Sequence, residues 1–318
     1  MKEIGGYFQL EKLIDNEYYK NMERLNSGRN SLIYILKSKK IKKVYLPYYL
    51  CDSVSNKVIQ EGYNVDYYNV DKEFNPIFNK NLGEDEYLYI VNFYGQINNE
   101  KLLEYNQKYK RIIVDNTHAF YQNPILDIDT IYSCRKFFGV PDGAYLYTNT
   151  KLNESLTIDN SKDRIKHLVG RLGGTASAFY KDFQKSDEEF ETESLKKMSI
   201  FTQNILGAID YNKVKESRNM NYNVLYESLK EINKLNLNLV DGAFSYPLLV
   251  ENGEEIRKKL IDNKIYISML WPNVPKSVSE DSIEYIYSKN IIPIPCDQRY
   301  SSDDMNYIID IVKGFIKK

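Results

Sequence analysis

Histidine is scarce in this chain of 318 residues: His118 and His167 are the only two. A zinc centre built from several histidines is therefore not expected. Cysteine is scarce as well. Cys51, Cys134 and Cys296 lie far apart and form neither a C-x-x-C pair nor a metal-ligand spacing. An odd number of isolated cysteines fits a reducing compartment, and no metal site is expected. No run of about 18 apolar residues occurs, so no membrane span is expected. Met1 to Tyr7 also lacks the apolar stretch of a signal peptide, which makes the cytoplasm the expected location. Neither charge dominates: 43 Lys+Arg against 44 Asp+Glu give a net charge of −1. That balance argues against a nucleic-acid or membrane-surface binder, which would carry a basic excess. The G-x-S-x-G elbow of a serine hydrolase is missing too.

What is present is apolar material in short, regularly spaced runs. Hydrophobic residues make up 42% of the chain, enough for a sizeable core, and Tyr alone accounts for 29 positions. Helices are predicted over residues 31–36, 52–61 and 100–109. Strands are predicted over 43–47, 65–70, 86–92, 111–115 and 144–147. Strand and helix in repeated alternation imply an α/β fold with a mostly parallel sheet covered on both faces. Ligands bind such sheets at the carboxyl ends of the strands, where Asn92 and Asp115 stand. Gly170-Arg171-Leu172-Gly173-Gly174-Thr175 reads as a flexible connector, because the Lys-Ser/Thr of a phosphate loop does not follow it. Long helices are predicted over 194–206 and 214–235. After them come strands over 244–250, 264–268 and 291–295 and helices over 253–263 and 303–316. This predicts a large domain over residues 1–209 and a smaller C-terminal α+β domain over 210–318.

Three segments carry the chemistry. Ser27-Gly28-Arg29-Asn30-Ser31 precedes an apolar helix. A helix N-terminus offers unpaired amides and a positive dipole end to a phosphate, and Gly28 lets the backbone come close. Ile112-Ile113-Val114-Asp115 then ends an apolar strand in a carboxylate, with His118 shortly after it. Finally, Ser133-Cys134-Arg135-Lys136 forms a polar turn before Phe137-Phe138-Gly139-Val140. Phosphate loop, Asp and Lys in this order are a common plan of pyridoxal phosphate enzymes. The Lys amine condenses with the cofactor aldehyde, and the Asp carboxylate pairs with the protonated ring nitrogen, which makes the ring an electron sink. A Lys beside Arg135 or in a desolvated setting has a lowered pKa, as a nucleophile and base requires.

Read in this order, the chain resembles the DegT/DnrJ-type sugar aminotransferases, fold type I pyridoxal phosphate enzymes. Gly28-Arg29-Asn30-Ser31-Leu32 stands where that family has Gly-Thr-x-Ala-Leu. Asn92-Phe93-Tyr94-Gly95-Gln96 resembles its His-Leu-x-Gly segment. Val114-Asp115-Asn116-Thr117-His118-Ala119 is similar to its Glu-Asp-Ala-Ala-Gln/His-Ala, and Pro141-Asp142-Gly143-Ala144 takes the place of its Gly-Glu-Gly-Gly. The resemblance implies pyridoxal 5'-phosphate as cofactor, held by Gly28, Arg29, Asn30, Asp115, His118, Ser133 and Lys136. Lys136, Asp115 and His118 would be the catalytic residues, with His118 on the phenolic oxygen. It further implies a homodimer, glutamate as amino donor and a nucleotide-linked keto-sugar as acceptor, in polysaccharide biosynthesis. Tyr48, Tyr49, Phe93, Tyr94 and Arg299 are the expected pocket residues. The chain also departs from the family: Ser133 and Lys136 stand closer together, Cys51 replaces the aromatic that stacks on the ring, and the Gly-Tyr-Asn-x-Arg segment by which a partner subunit reaches the phosphate is not recognisable. Those departures keep a non-catalytic relative as the rival reading. Another pyridoxal phosphate reaction, such as dehydration, fits less well, because the sugar dehydratases of this resemblance have His in place of the Lys.

Overall fold

A computed structural model describes residues 4–316. The elements run in chain order as β1 (Glu23–Leu25), α1 (Gly28–Ser38), β2 (Lys43–Pro47), α2 (Asp52–Gln60), β3 (Asn64–Val70), β4 (Pro76–Ile77), β5 (Glu86–Val91), α3 (Asn99–Tyr109), β6 (Ile112–Asp115), β7 (Asp129–Ser133) and β8 (Ala144–Tyr147). These are followed by α4 (Lys166–Gly173), α5 (Tyr180–Glu191), α6 (Ile200–Gly207), α7 (Tyr211–Leu229), β9 (Tyr246–Leu249), α8 (Gly253–Asp262), α9 (Ile283–Asn290), β10 (Ile291–Ile294) and α10 (Ser302–Ile316). The first eight strands form one sheet in the order β1-β8-β7-β6-β5-β2-β3-β4. Its centre, from β3 through β2, β5 and β6 to β7, is parallel, and β8, β1 and β4 are antiparallel. The expected α/β architecture is thus the observed one.

Local sequence explains these elements. Ile112 to Asp115 are all buried, as a central parallel strand with both faces covered requires. In α1, Leu32, Ile33, Tyr34, Ile35 and Leu36 are buried all round, so this helix lies inside the molecule. Ser27 caps it by accepting a hydrogen bond from the Asn30 amide at 3.1 Å. Gly62, at φ +86°, turns the chain from α2 into β3. One apolar core runs from Leu25 and the sheet through Tyr49, Phe93 and Trp271 to Ile292 and Val312, so the β9–β10 pair and its helices share it with the large sheet.

Four sequence expectations are corrected. Residues 194–199 are extended, and the helix starts only at Ile200; Lys197 bridges to Leu25 and to Ile158, which ties this stretch to the sheet edge. The helix predicted over 214–235 runs instead from Tyr211 to Leu229, and Lys234 then donates its amide to Leu249 of β9. Residues 264–268 alternate as a strand should, with Ile265 and Ile267 buried, but no neighbouring strand completes a ladder. The glycine cluster is the end of helix α4 rather than a connector: a side chain at Gly170 would collide with the Phe179 ring, so the glycine serves close packing. Among the described residues no helix is long and apolar enough to cross a membrane, and no group of metal-ligating side chains comes together.

Asn26 fixes the region around β1. It is fully buried. Its backbone amide donates to the Lys196 carbonyl at 3.0 Å, and its carbonyl accepts from Gly143 at 2.7 Å. Its side-chain Nδ2 donates to Asp159 Oδ2 at 3.1 Å and to the Ser194 carbonyl at 3.0 Å, and its Oδ1 accepts from Asn30 Nδ2 at 2.9 Å. Asn26→Ala would remove the side-chain links to Asp159, Ser194 and Asn30 and leave Asp159 Oδ2 without its hydrogen-bond donor. The expected cost is roughly 2–4 kcal/mol of folding stability, measured by urea unfolding; a loss within experimental error would show that the contacts do not carry load.

Candidate active site

Two strand ends and one helix start converge here. A side chain at Gly28, the first residue of α1, would touch Ile131 Cγ2 at 3.5 Å, Thr117 Oγ1 at 3.8 Å and Ser133 Cβ at 3.9 Å. The N-terminus of α1, the turn after β6 and the end of β7 therefore close on one point. Near it the first amides of α1 lack intrahelical partners and carry the positive end of the helix dipole.

Asp115 ends β6 and is buried. Its Oδ1 accepts from the Thr117 amide at 2.8 Å, and its Oδ2 accepts from the Tyr89 hydroxyl at 2.7 Å. Burial raises its pKa, and the Thr117 side chain, these two bonds and the nearby Lys136 cation oppose that rise.

Lys136 lies in the 3-10 turn Cys134–Lys136 between the antiparallel strands β7 and β8. Solvent reaches its side chain, yet protein surrounds it on a larger scale, as in a cleft. Burial lowers the pKa of its amine, and the Arg135 and Arg29 cations lower it further, while Cys51 and Asp187 act in the opposite sense. The turn is held from three sides. The Phe137 carbonyl accepts from Arg218 Nη2 at 3.2 Å and from Gln298 Nε2 at 2.9 Å. Asp142, next to Gly143 (φ +116°), accepts from the Ser199 amide at 2.8 Å and from the Ser199 and Thr202 hydroxyls at the start of α6.

Arginines and acids gather beside this turn. The guanidinium groups of Arg29, Arg135 and Arg164 lie 5.8, 4.4 and 4.9 Å from the ring centre of Phe190 in α5. Arg135 pairs with Asp187 at 2.8 Å, Arg29 approaches Glu191 at 3.9 Å, and Arg164 pairs with Asp159 and Glu193 at 2.7 and 2.9 Å. Helix α5 thus forms a wall of the cleft and supplies the counter-charge.

His118 is buried, with its ring parallel to those of Phe244 and Trp271 at centroid distances of 4.2 and 5.9 Å. Its Nδ1 accepts from the Tyr94 amide at 3.4 Å, which leaves the proton of the neutral ring on Nε2. Burial, and then the Lys136 cation, push its pKa down to about 3.

The other expected site residues are used differently. The Asn30 side chain donates to Asn26 Oδ1 and to the Glu193 and Ser194 carbonyls, so it braces the loop from within. Tyr49, Phe93 and Tyr94 are fully buried among Phe74 and Trp271, behind His118. Tyr48 stacks on Tyr67 at 5.0 Å, and Arg299 forms a two-pronged pair with Asp297 at 2.7 and 2.8 Å. Sequence reasoning missed Tyr89, Phe244, Trp271 and Asp187. Tyr89 alone had a signal: it lies two residues before Val91, which stands opposite Asp115 in the sheet.

An unfolded histidine takes up a proton below about pH 6.5, whereas folded His118 does so only near pH 3. In between, the unfolded chain binds the extra proton, so falling pH favours unfolding by about 1.4 kcal/mol per pH unit from this one group. His118→Gln should therefore flatten the fall of unfolding free energy with falling pH below 6.5. An unchanged slope would show that folded His118 takes up its proton in the same pH range as an unfolded histidine.

No family model and no curated protein matches the chain in sequence. Solved structures do match it along most of its length. A DegT DnrJ EryC1 StrS aminotransferase from Brucella abortus is 14% identical, with a TM-score of 0.60 over 93% of this chain and 86% of that one. The sugar aminotransferase CalS13 from Micromonospora echinospora is 12% identical, with a TM-score of 0.64 over 92% and 87%. Ntda from Bacillus subtilis, solved with bound cofactor PMP, is 12% identical, with a TM-score of 0.62 over 92% and 73%. Together with the sheet order and the position of the cleft, these likenesses establish that the chain has the fold of the DegT DnrJ EryC1 StrS aminotransferases, fold type I.

Proposed function

We propose that this protein is a pyridoxal phosphate-dependent aminotransferase that moves an amino group from an amino acid, glutamate, to the keto group of a nucleotide-linked sugar. The observation that carries the reading is the pairing of Lys136 with Asp115. One is an accessible amine of lowered pKa, the other a buried carboxylate at the preceding strand end, close enough for the Lys136 cation to favour the ionised form of Asp115. The fold, shared with a sugar aminotransferase and with a protein that holds PMP, supports it.

The donor set fits the cofactor. The amides at the start of α1 and the Ser133 hydroxyl would take its phosphate, with Gly28 leaving room for it and Arg29 adding positive charge. Asp115 would accept from its ring nitrogen, Thr117 would lie beside the ring, and His118 would offer Nε2–H to its phenolic oxygen. Bound pyridoxal phosphate supplies an aldehyde for an amine and an electron sink for the substrate carbon that loses a proton.

Each protein group then has one task. Lys136 would hold the cofactor through its amine and, once free, would move a proton as general base and acid. Its lowered pKa keeps a larger share of the amine unprotonated and ready for this. Tyr89 and Thr117 donate to Asp115 and so favour its ionised form opposite the ring N–H. His118 stays neutral and so adds no second positive charge beside Lys136. The protein acts as a homodimer in the cytoplasm, in the synthesis of polysaccharide precursors.

Incubation with pyridoxal phosphate, borohydride reduction and peptide mass analysis should place a phosphopyridoxyl group on Lys136. No adduct on folded protein would overturn the reading in favour of a non-catalytic relative. Lys136→Ala should abolish amino transfer and leave the fold intact. Asp115→Asn should still take the adduct but turn over about a hundredfold more slowly in a donor assay.

A further inference from the structure

Asp115 is subject to opposing influences. Burial favours its neutral form, while Thr117, through its side chain and its backbone amide, Tyr89 and the nearby Lys136 cation favour its charged form. Thr117 sits in the turn just after the strand that Asp115 ends. Tyr89 reaches the carboxylate from the neighbouring strand, with its hydroxyl at 2.7 Å. Tyr89 is 2% exposed, and burial and the neighbouring carboxylate push its phenol upward, so it keeps its proton and remains a donor. Its backbone is fixed as well: Tyr89 lies in β5 opposite Ile113 of β6, and the Tyr68 hydroxyl donates to its carbonyl at 2.7 Å. Of the roughly four acceptor directions of a carboxylate, the Thr117 amide and the Tyr89 hydroxyl occupy two, which leaves capacity for a further N–H donor.

We infer that Tyr89 is a positioning residue that decides where the proton rests between Asp115 and the cofactor's ring nitrogen. This rests on the functional reading above and adds a residue to it. With the Tyr89 bond in place, the carboxylate is the weaker base and the proton stays on the ring nitrogen, where it makes the ring an electron sink. Without it, the balance moves toward a proton on Asp115, and the ring loses part of that property. The tyrosine acts on the chemistry without touching the reacting atoms.

The test uses pyridoxal phosphate labelled with 15N in the ring and bound to the full chain, with the pH dependence of the ring-nitrogen NMR signal as readout. Tyr89→Phe should still take the borohydride adduct on Lys136, while the ring nitrogen's protonation equilibrium shifts toward the unprotonated form by a factor of about 10 to 100, as expected for loss of one charge-assisted hydrogen bond. Fluorotyrosine introduced at position 89 alone, a stronger donor in the same ring, should shift it the other way. Should Tyr89→Phe fail to fold by circular dichroism, the fluorotyrosine protein decides alone. Bound cofactor with an unmoved ring-nitrogen signal would overturn the role of Tyr89 and leave the aminotransferase reading standing. A wild-type chain that takes no adduct on Lys136 would overturn that reading and this inference with it.

Discussion

The arrangement of this site depends on the paired amides of Asn26. Buried donors and acceptors cannot fall back on water, so each must find its partner in one geometry. Asn26 satisfies groups from three distant stretches: the turn before β8, the extended segment at 194–196, and Asp159. Through Asn30 it also stiffens the first turn of α1. The loop that would hold phosphate and the turn that carries Lys136 are thereby locked together, although more than a hundred residues of sequence lie between them. A displacement of either would break several bonds at once, which makes the geometry all-or-none.

Charge gives the site its second layer of order. Arg135 lies close enough to lower the pKa of Arg29, and both arginines lower that of Lys136. Asp187 and Glu191 on α5 answer the arginines, while the lysine amine is left with its pKa lowered. His118 is kept neutral by burial between rings rather than by a partner. The outcome is a cleft whose positive charge is concentrated on the guanidinium groups and whose amine can change state. A cleft of that kind suits chemistry that needs a fixed anion site beside a mobile proton.

Much of this was legible in the sequence, and the reason is local. Strands buried on both faces read as continuous apolar runs, so β2, β5 and β6 announced themselves, as did Asp115 at the end of one and Lys136 in a turn after another. The cap of α1 was visible in Ser27 and Gly28. Features set by distant partners were not legible. Residues 194–199 have a composition open to helix, and only the pairing of Lys197 with Leu25 and Ile158 draws them straight. The inward turn of the Asn30 side chain follows from carbonyls at 193 and 194 that nothing near residue 30 reveals. Residues 264–268 show the converse, a strand pattern without a strand beside it. Asp187, Phe244 and Trp271 come to the site from helices and loops late in the chain, with no motif to mark them.

The ring of Phe190 has a consequence for how such a chain can change over time. Most of the segment between β8 and α6 lies on the outside and looks dispensable, the kind of surface excursion in which insertions and deletions usually accumulate. Yet its one deeply buried aromatic lies within cation–π reach of three guanidinium groups. The excursion, which itself carries Arg164, is therefore bound to positions 29 and 135 as a unit of inheritance. Related chains that shorten it must give up or replace the arginines as well, and those that keep the arginines must keep a ring between them.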